Sequence, residues 1–258
     1  MVAETVLIGD RDGVRLITLN RPDVMNAISR QLREDLTTAL IEAERDASVA
    51  AVVLTGAGKA FSAGQDIAET LSYTMADVRQ WCDGMRGMYQ AVRDLSKPCV
   101  AAWNGIAAGG GMQIGLSADL RVTHAEARIG QPEVKAGLAS IVGSYMLSLY
   151  LGHGHNLEMS LAGGLITGTR AVEIGLANRL APQETLVEAA CDAARELLAV
   201  PPAAFRLTKQ RFRETTQAGF DAATAAGVRA TFEAMATGEP QRVMAAFVAE
   251  RAKRKAAR

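Results

Sequence analysis

The chain has 258 residues, 49% of them hydrophobic, enough to bury a substantial core, and its 28 basic and 28 acidic side chains cancel. Neutrality gives no whole-chain electrostatic signal for nucleic acid or an anionic membrane surface. Three widely spaced cysteines, Cys82, Cys99 and Cys191, without CxxC patterning, argue against structural disulfides and a zinc site and for a reducing compartment.

From the N-terminus, MVAETVLIGDRDG lacks an apolar h-region and a cleavage site, and no stretch approaches the roughly 18 apolar residues of a membrane span. Neither a signal peptide nor a membrane segment is expected, and the chain reads as cytoplasmic. VRLITLN (14–20) and AVVLTG (51–56) are β-branched runs ended by turn residues, which predicts strands. Between them, residues 28–46 place Ile28, Leu32, Leu36, Leu40 and Ile41 at helical spacing. A second round follows, with a helix over 75–95, then CVAAWNG (99–105), a glycine run, and LRVTHA (120–125). The helix carries Trp81, Met85, Met88, Tyr89 and Val92 on one stripe, whose simplest reading is a core face. Repeated strand–helix units imply a largely parallel sheet covered by helices.

From about residue 143 the β signal fades, and helices are predicted over 143–152, 154–162, 170–176, 183–199, 203–217, 221–237 and 239–254. The expected division is an α/β core over 1–195 and a helical region over 196–258. The terminal ERAKRKAAR reads as a solvated helix end or an anion contact.

The three histidines, His124, His153 and His155, form no HExxH or His–carboxylate cluster, and no GxSxG elbow is present, so neither a metalloenzyme nor a serine hydrolase is expected. TGAGK at 55–59 fails as a phosphate loop because Ala60 replaces the required Ser or Thr, and no GxGxxG fingerprint exists. Two small-residue loops remain, KAFSAGQDI (59–67) and GIAAGGGMQ (105–113), each just after a strand. Ligands of parallel α/β sheets collect at the carboxyl ends of strands, where helix starts present free N–H groups. Two such loops from neighbouring strands can aim two N–H groups at one oxygen, the geometry of an oxyanion hole.

NRPDVMNAI, VLTGAGKAFSAGQDI, KPCVAAWNGIAAGGGMQIGLSADLRV, ARIGQPEVKAGL and ITGTRAVEIGLANRL resemble, in order and spacing, the enoyl-CoA hydratase/isomerase (crotonase) family. The resemblance covers most of residues 1–250 and implies a spiral α/β core with an all-helical C-terminal region used for trimerisation, as a homotrimer or dimer of trimers. It implies an acyl-CoA thioester substrate, with coenzyme A as part of that substrate and no separate cofactor or metal. It also implies that the thioester oxygen is held by the backbone N–H groups of Gln65 and Gly110. Positions matching Ala63, Asp66 and Ile67 lie along the CoA path in this family, with those matching Val24 and Met25 near it. Phe247 and Arg251 of the last helix would approach the nucleotide, from this chain or a neighbouring subunit.

Hydratases of the family carry two glutamates, whose positions here are Gln113 and Glu133. Glu133 is thus the expected general acid/base, its alternative being a first-turn helix carboxylate after Pro132. Gln113 can donate and accept hydrogen bonds but cannot take a proton at neutral pH, so hydration by two carboxylates is unavailable. An isomerase-like proton shuttle by Glu133, slow hydration with Gln113 orienting water, and another enolate reaction such as decarboxylation or carbon–carbon cleavage all remain open. So does a decayed acyl-CoA-binding or RNA-associated member. GLASIVGSYML (137–147) departs from the glycine- and proline-rich loop of many hydratases, and its Ser140, Ser144 and Tyr145 read either as acyl-pocket residues or as helix-start and packing residues.

Overall fold

The AVVLTG run shows why the core forms as it does. In this computed structural model, which describes residues 4–256 and side chains through Lys253, alternate residues of that run enter different cores. Val52 and Leu54 join the cluster under the helices, whereas Ala51 and Val53 face the opposite side. A strand buried on both faces reads as a continuous apolar run rather than an alternating one. The basic side chains of the terminal run beyond Lys253 lie outside the described residues.

In chain order the elements are β1 (Val6–Arg11), β2 (Val14–Leu19), α1 (Arg30–Arg45), β3 (Ala51–Gly56), β4 (Ala60–Ser62), α2 (Ile67–Thr70) and α3 (Asp77–Asp94). There follow β5 (Cys99–Trp103), β6 (Ile106–Ala108), α4 (Gly110–Leu116), β7 (Leu120–Thr123), β8 (Arg128–Gly130), α5 (Ile141–Ser148) and α6 (His153–Ala162). The chain continues through β9 (Leu165–Thr167), α7 (Gly168–Glu173), β10 (Arg179–Leu180), α8 (Leu186–Leu198), α9 (Pro202–Ala236) and α10 (Glu239–Ala256). One sheet has the order β1-β2-β3-β5-β7-β10 and the other β4-β6-β8-β9. Only the β1–β2 and β8–β9 pairings are antiparallel among the described strands. Each of β3, β5 and β7 is followed directly by a short strand of the second sheet, so every turn of the spiral adds one strand to each sheet.

Helix α1 starts where Ser29 accepts a hydrogen bond from Leu32 N–H (3.2 Å) and buries Leu32, Leu36 and Leu40 completely or nearly so. Ile41 points outward, one residue further around the helix. Helix α8 lays Leu186, Ala190, Cys191 and Ala194 on the far face of the large sheet.

The structure differs from the sequence reading in several places, among them α2, which was not expected, and α5, which ends at Ser148 rather than at 152. The two helices expected over 203–217 and 221–237 are one, α9, of 35 residues. Gly219 is a packing position rather than a break: a Cβ there would sit 2.6 Å from the Tyr145 ring, whose hydroxyl donates to Thr216 O at 2.7 Å. Strands β1, β4, β6, β8, β9 and β10 were not expected; all but β1 have two or three residues, too few to show a period. Among the described residues no helix is long and apolar enough to cross a membrane.

Candidate active site

The glycine run is bare for three separate reasons. Gly109, at φ +53° and ψ −125°, holds a backbone conformation that disfavours any side chain, and a Cβ there would lie 2.5 Å from Glu133 Oε1. A Cβ at Gly110 would meet Met85 Cε at 2.9 Å and Tyr89 Oη at 3.1 Å, while one at Gly111 would meet the Ser62 carbonyl at 2.4 Å. Helix α4 opens at Gly110, so the Gly110 N–H is one of the orphan donors of a helix start.

Strands β4 and β6 pair in parallel, so the loops that leave them, 63–66 and the glycine run, emerge side by side. At Gly64 (φ +88°) a Cβ would fall 2.6 Å from Ala108 O and 3.4 Å from Gly110 N. The next residue, Gln65, bridges Ile28: Ile28 N–H donates to Gly64 O (2.8 Å) and Asp66 N–H donates to Ile28 O (3.3 Å). That parallel pairing uses the groups flanking Gln65 and turns its own N–H to the opposite side. Gln65 and Gly110 both line one cavity of about 120 Å³, together with Gln113 and Glu133. The Gln65 side chain is clamped, accepting from Trp81 Nε1 at 2.9 Å and donating to Thr70 Oγ1 at 2.8 Å.

Glu133 stands in a single 3₁₀ turn, Pro132–Ala136, that follows β8. Its Oε1 accepts from Gln113 Nε2 at 3.0 Å, and its Oε2, shut off from solvent, has no hydrogen-bond partner among the described residues. Burial pushes the Glu133 carboxyl up to about 7, with a hydrogen bond from its own backbone N–H pulling weakly the other way. A carboxyl at that value exchanges protons readily near neutral pH. Burial also holds the neighbouring Tyr89 phenol well above its usual range, so its hydroxyl stays protonated.

The stripe on α3 is both core and wall: Met88 and Val92 are buried, while Trp81, Met85 and Tyr89 also line the cavity. Of the three residues singled out after Glu133, only Ser140 reaches the cavity. Ser144 donates to Ile141 O (2.9 Å), and Tyr145 is spent on α9. Gln131, completely buried in the cavity wall, escaped the sequence reading, because a glutamine before proline carries no pattern that announces burial.

Val24, Met25, Ala63, Asp66 and Ile67 come together beside the site. Ala63 N–H donates to Met25 O at 2.9 Å, and the Asp66 carboxylate takes Arg21 Nη1 at 2.8 Å and begins α2 at Ile67. Phe247 is 51% exposed and Arg251 is exposed; both belong to α10, which packs against α2 and the Glu133 turn of the same chain. Asn26, also overlooked, fixes this corner through Nδ2 bonds to Ala57 O (3.0 Å) and Ala60 O (2.7 Å). Among the described residues no group of three or more His, Cys, Asp or Glu side chains is arranged to hold a metal ion. His155 instead lies 3.2 Å from Arg170 Nη2.

The two-sheet spiral with paired glycine loops at one glutamate defines a crotonase-type α/β fold. A sequence model described as Enoyl-CoA hydratase/isomerase matches residues 9–255, and the chain belongs to that family. It is 32% identical over 255 residues to a short-chain-enoyl-CoA hydratase of Clostridium acetobutylicum, covering 97% of each chain. It is also 32% identical over 248 residues to the mitochondrial enoyl-CoA hydratase of Pongo abelii, covering 94% of this chain and 83% of that one. The crystal structure of an enoyl-CoA hydratase/isomerase from Mycobacterium paratuberculosis superposes with a TM-score of 0.86 at 28% identity, over 94% of this chain and 98% of the other.

Proposed function

We propose that the protein is an acyl-CoA enzyme that polarises a thioester carbonyl between the N–H groups of Gln65 and Gly110 and moves a proton with Glu133. Hydrogen bonds to the oxygen stabilise the negative charge that appears when a proton leaves C2, so the enolate becomes accessible. The observation that carries the reading is the Glu133 carboxyl, pushed up to about 7 by its withdrawal from solvent, with one oxygen steadied by Gln113 and the other without a hydrogen-bond partner among the described residues.

One carboxylate suffices for an isomerisation. Glu133 takes the C2 proton of a 3-enoyl-CoA, the dienolate forms against the two N–H groups, and the same carboxyl returns the proton to C4, leaving 2-enoyl-CoA. Hydration is the second reading, favoured by the hydratase names of the relatives. In it Gln113 Oε1 orients water while Glu133 carries the proton to C2. Absorbance of the conjugated enoyl thioester separates the two. A gain with 3-hexenoyl-CoA supports isomerisation, a loss with 2-hexenoyl-CoA supports hydration, and no change with either overturns both.

The coenzyme A portion, which is substrate rather than cofactor, runs past Val24, Met25, Ala63, Asp66 and Ile67 toward Phe247 and Arg251. The division into a core over 1–195 and a helical region over 196–258, the cytoplasmic setting, and assembly as a homotrimer or dimer of trimers belong to the same reading. Assembly is supported by a separate apolar groove of about 560 Å³ along α9, lined by Leu149, Val200, Phe205 and the 71% exposed Phe212.

A further inference from the structure

The cavity holds more polar capacity than a proton shuttle uses. Gln131 is fully buried, and neither its Oε1 nor its Nε2 has a hydrogen-bond partner among the described residues. Gly143 in the first turn of α5 makes room for it, since a Cβ there would come within 2.0 Å of Nε2. Ser140, 9% exposed, occupies the N-cap position of α5, where serine ordinarily bonds back to the helix. Its hydroxyl makes no such bond and is likewise sealed and unpartnered. The two threonine hydroxyls of the cavity wall are satisfied within α9, Thr224 by Asp221 O and Thr231 by Gly227 O. Leaving a donor or acceptor buried and unpaired costs roughly 1–3 kcal/mol each, a cost that a matching ligand group removes.

We propose that Gln131 and Ser140 recognise a neutral oxygen function, a ketone or hydroxyl, on the acyl chain beyond the reacting carbons; the inference rests on the acyl-CoA reading above. The thioester oxygen belongs to Gln65 and Gly110 and the moving proton to Glu133, which leaves these two residues of the cavity lining for the rest of the acyl group. Their chemistry is uncharged. The cation at the cavity edge, Arg86, is taken by Asp221 at 2.7 Å, and Glu133 disfavours a second carboxylate nearby. An amide and a hydroxyl supply donors to a ketone and both donors and acceptors to an alcohol. An unsubstituted alkyl chain would leave all three polar atoms buried and unpaired.

The test is binding, which needs no turnover. Calorimetry compares hexanoyl-CoA with 4-oxohexanoyl-CoA and 5-oxohexanoyl-CoA on the full chain. At least one oxo thioester is expected to bind about tenfold tighter or better. Ser140→Ala and Gln131→Met, each checked for folding by thermal unfolding, should shrink that preference toward unity and leave hexanoyl-CoA affinity unchanged or improved. Ser140→Ala alone decides if Gln131→Met does not fold. Equal or tighter binding of hexanoyl-CoA by the unmodified protein overturns the inference while leaving the acyl-CoA reading intact, as does a preference that survives both variants. If none of the three thioesters binds, the acyl-CoA reading itself falls and takes the inference with it.

Discussion

Replacing Glu133 with Gln separates its chemical role from its structural cost. In the folded protein the carboxyl titrates near 7 rather than at 4.5 because it is buried. Between those values the unfolded chain releases a proton that the folded chain keeps, so the native protein loses stability as pH rises through the window and levels off above it. At ~1.4 kcal/mol per unit, the shift corresponds to about 3 kcal/mol at pH 8. Glutamine keeps the oxygen that accepts from Gln113 Nε2 and never ionises. The variant is therefore expected to be more stable than the native protein by up to about 3 kcal/mol at pH 8, or roughly 6–12 °C in Tm, and equal to it at pH 4.5. Activity should fall by ~10²-fold or more. Thermal unfolding at the two pH values and enoyl-CoA turnover read both effects. A stability gain of the same size at both pH values would refute burial of charge as the cause, and near-native activity would refute the assignment of Glu133 as acid/base.

Because Glu133 must be ionised to take a proton, kcat/KM should fall below an apparent value of about 7, measurable as a pH–rate profile that Glu133→Gln abolishes. Gln113→Glu places a second carboxylate about 3.0 Å from Glu133 Oε1, which should push the pair's titration higher and raise hydration of 2-hexenoyl-CoA ~10-fold or more. Gly109→Ala forces a methyl to within 2.5 Å of Glu133 Oε1 at a positive φ; chemical denaturation should show at least ~2 kcal/mol lost, with turnover abolished. Trp81→Phe frees the Gln65 side chain from its 2.9 Å bond, and kcat is expected to drop several-fold, about 3–10-fold, with little change in KM.

Local chemistry alone carried much of the fold. The β-branched runs of β2, β3, β5 and β7, the leucine spacing of α1 and the glycine–proline punctuation locate most elements, because a face that must be buried repeats at the period of its backbone. Motif order carried the family; two loops following neighbouring strands suggested a pair of N–H groups, and only the resemblance named them as those of Gln65 and Gly110. The rest depends on contacts distant in the chain. Short strands such as β6 and β8 exist because a paired neighbour supplies their hydrogen bonds, and the Gly219 position is helical because Tyr145 packs there. Residue types at 113 and 133 were legible in the sequence, but a raised Glu133 pKa is a property of the surroundings that exclude water from it. Gln131 and Ser140 make the same point. Sequence determined which hydrogen-bonding groups this protein owns, and only the tertiary structure decided which of them are left buried without a partner, because burial and pairing are set by elements far apart along the chain.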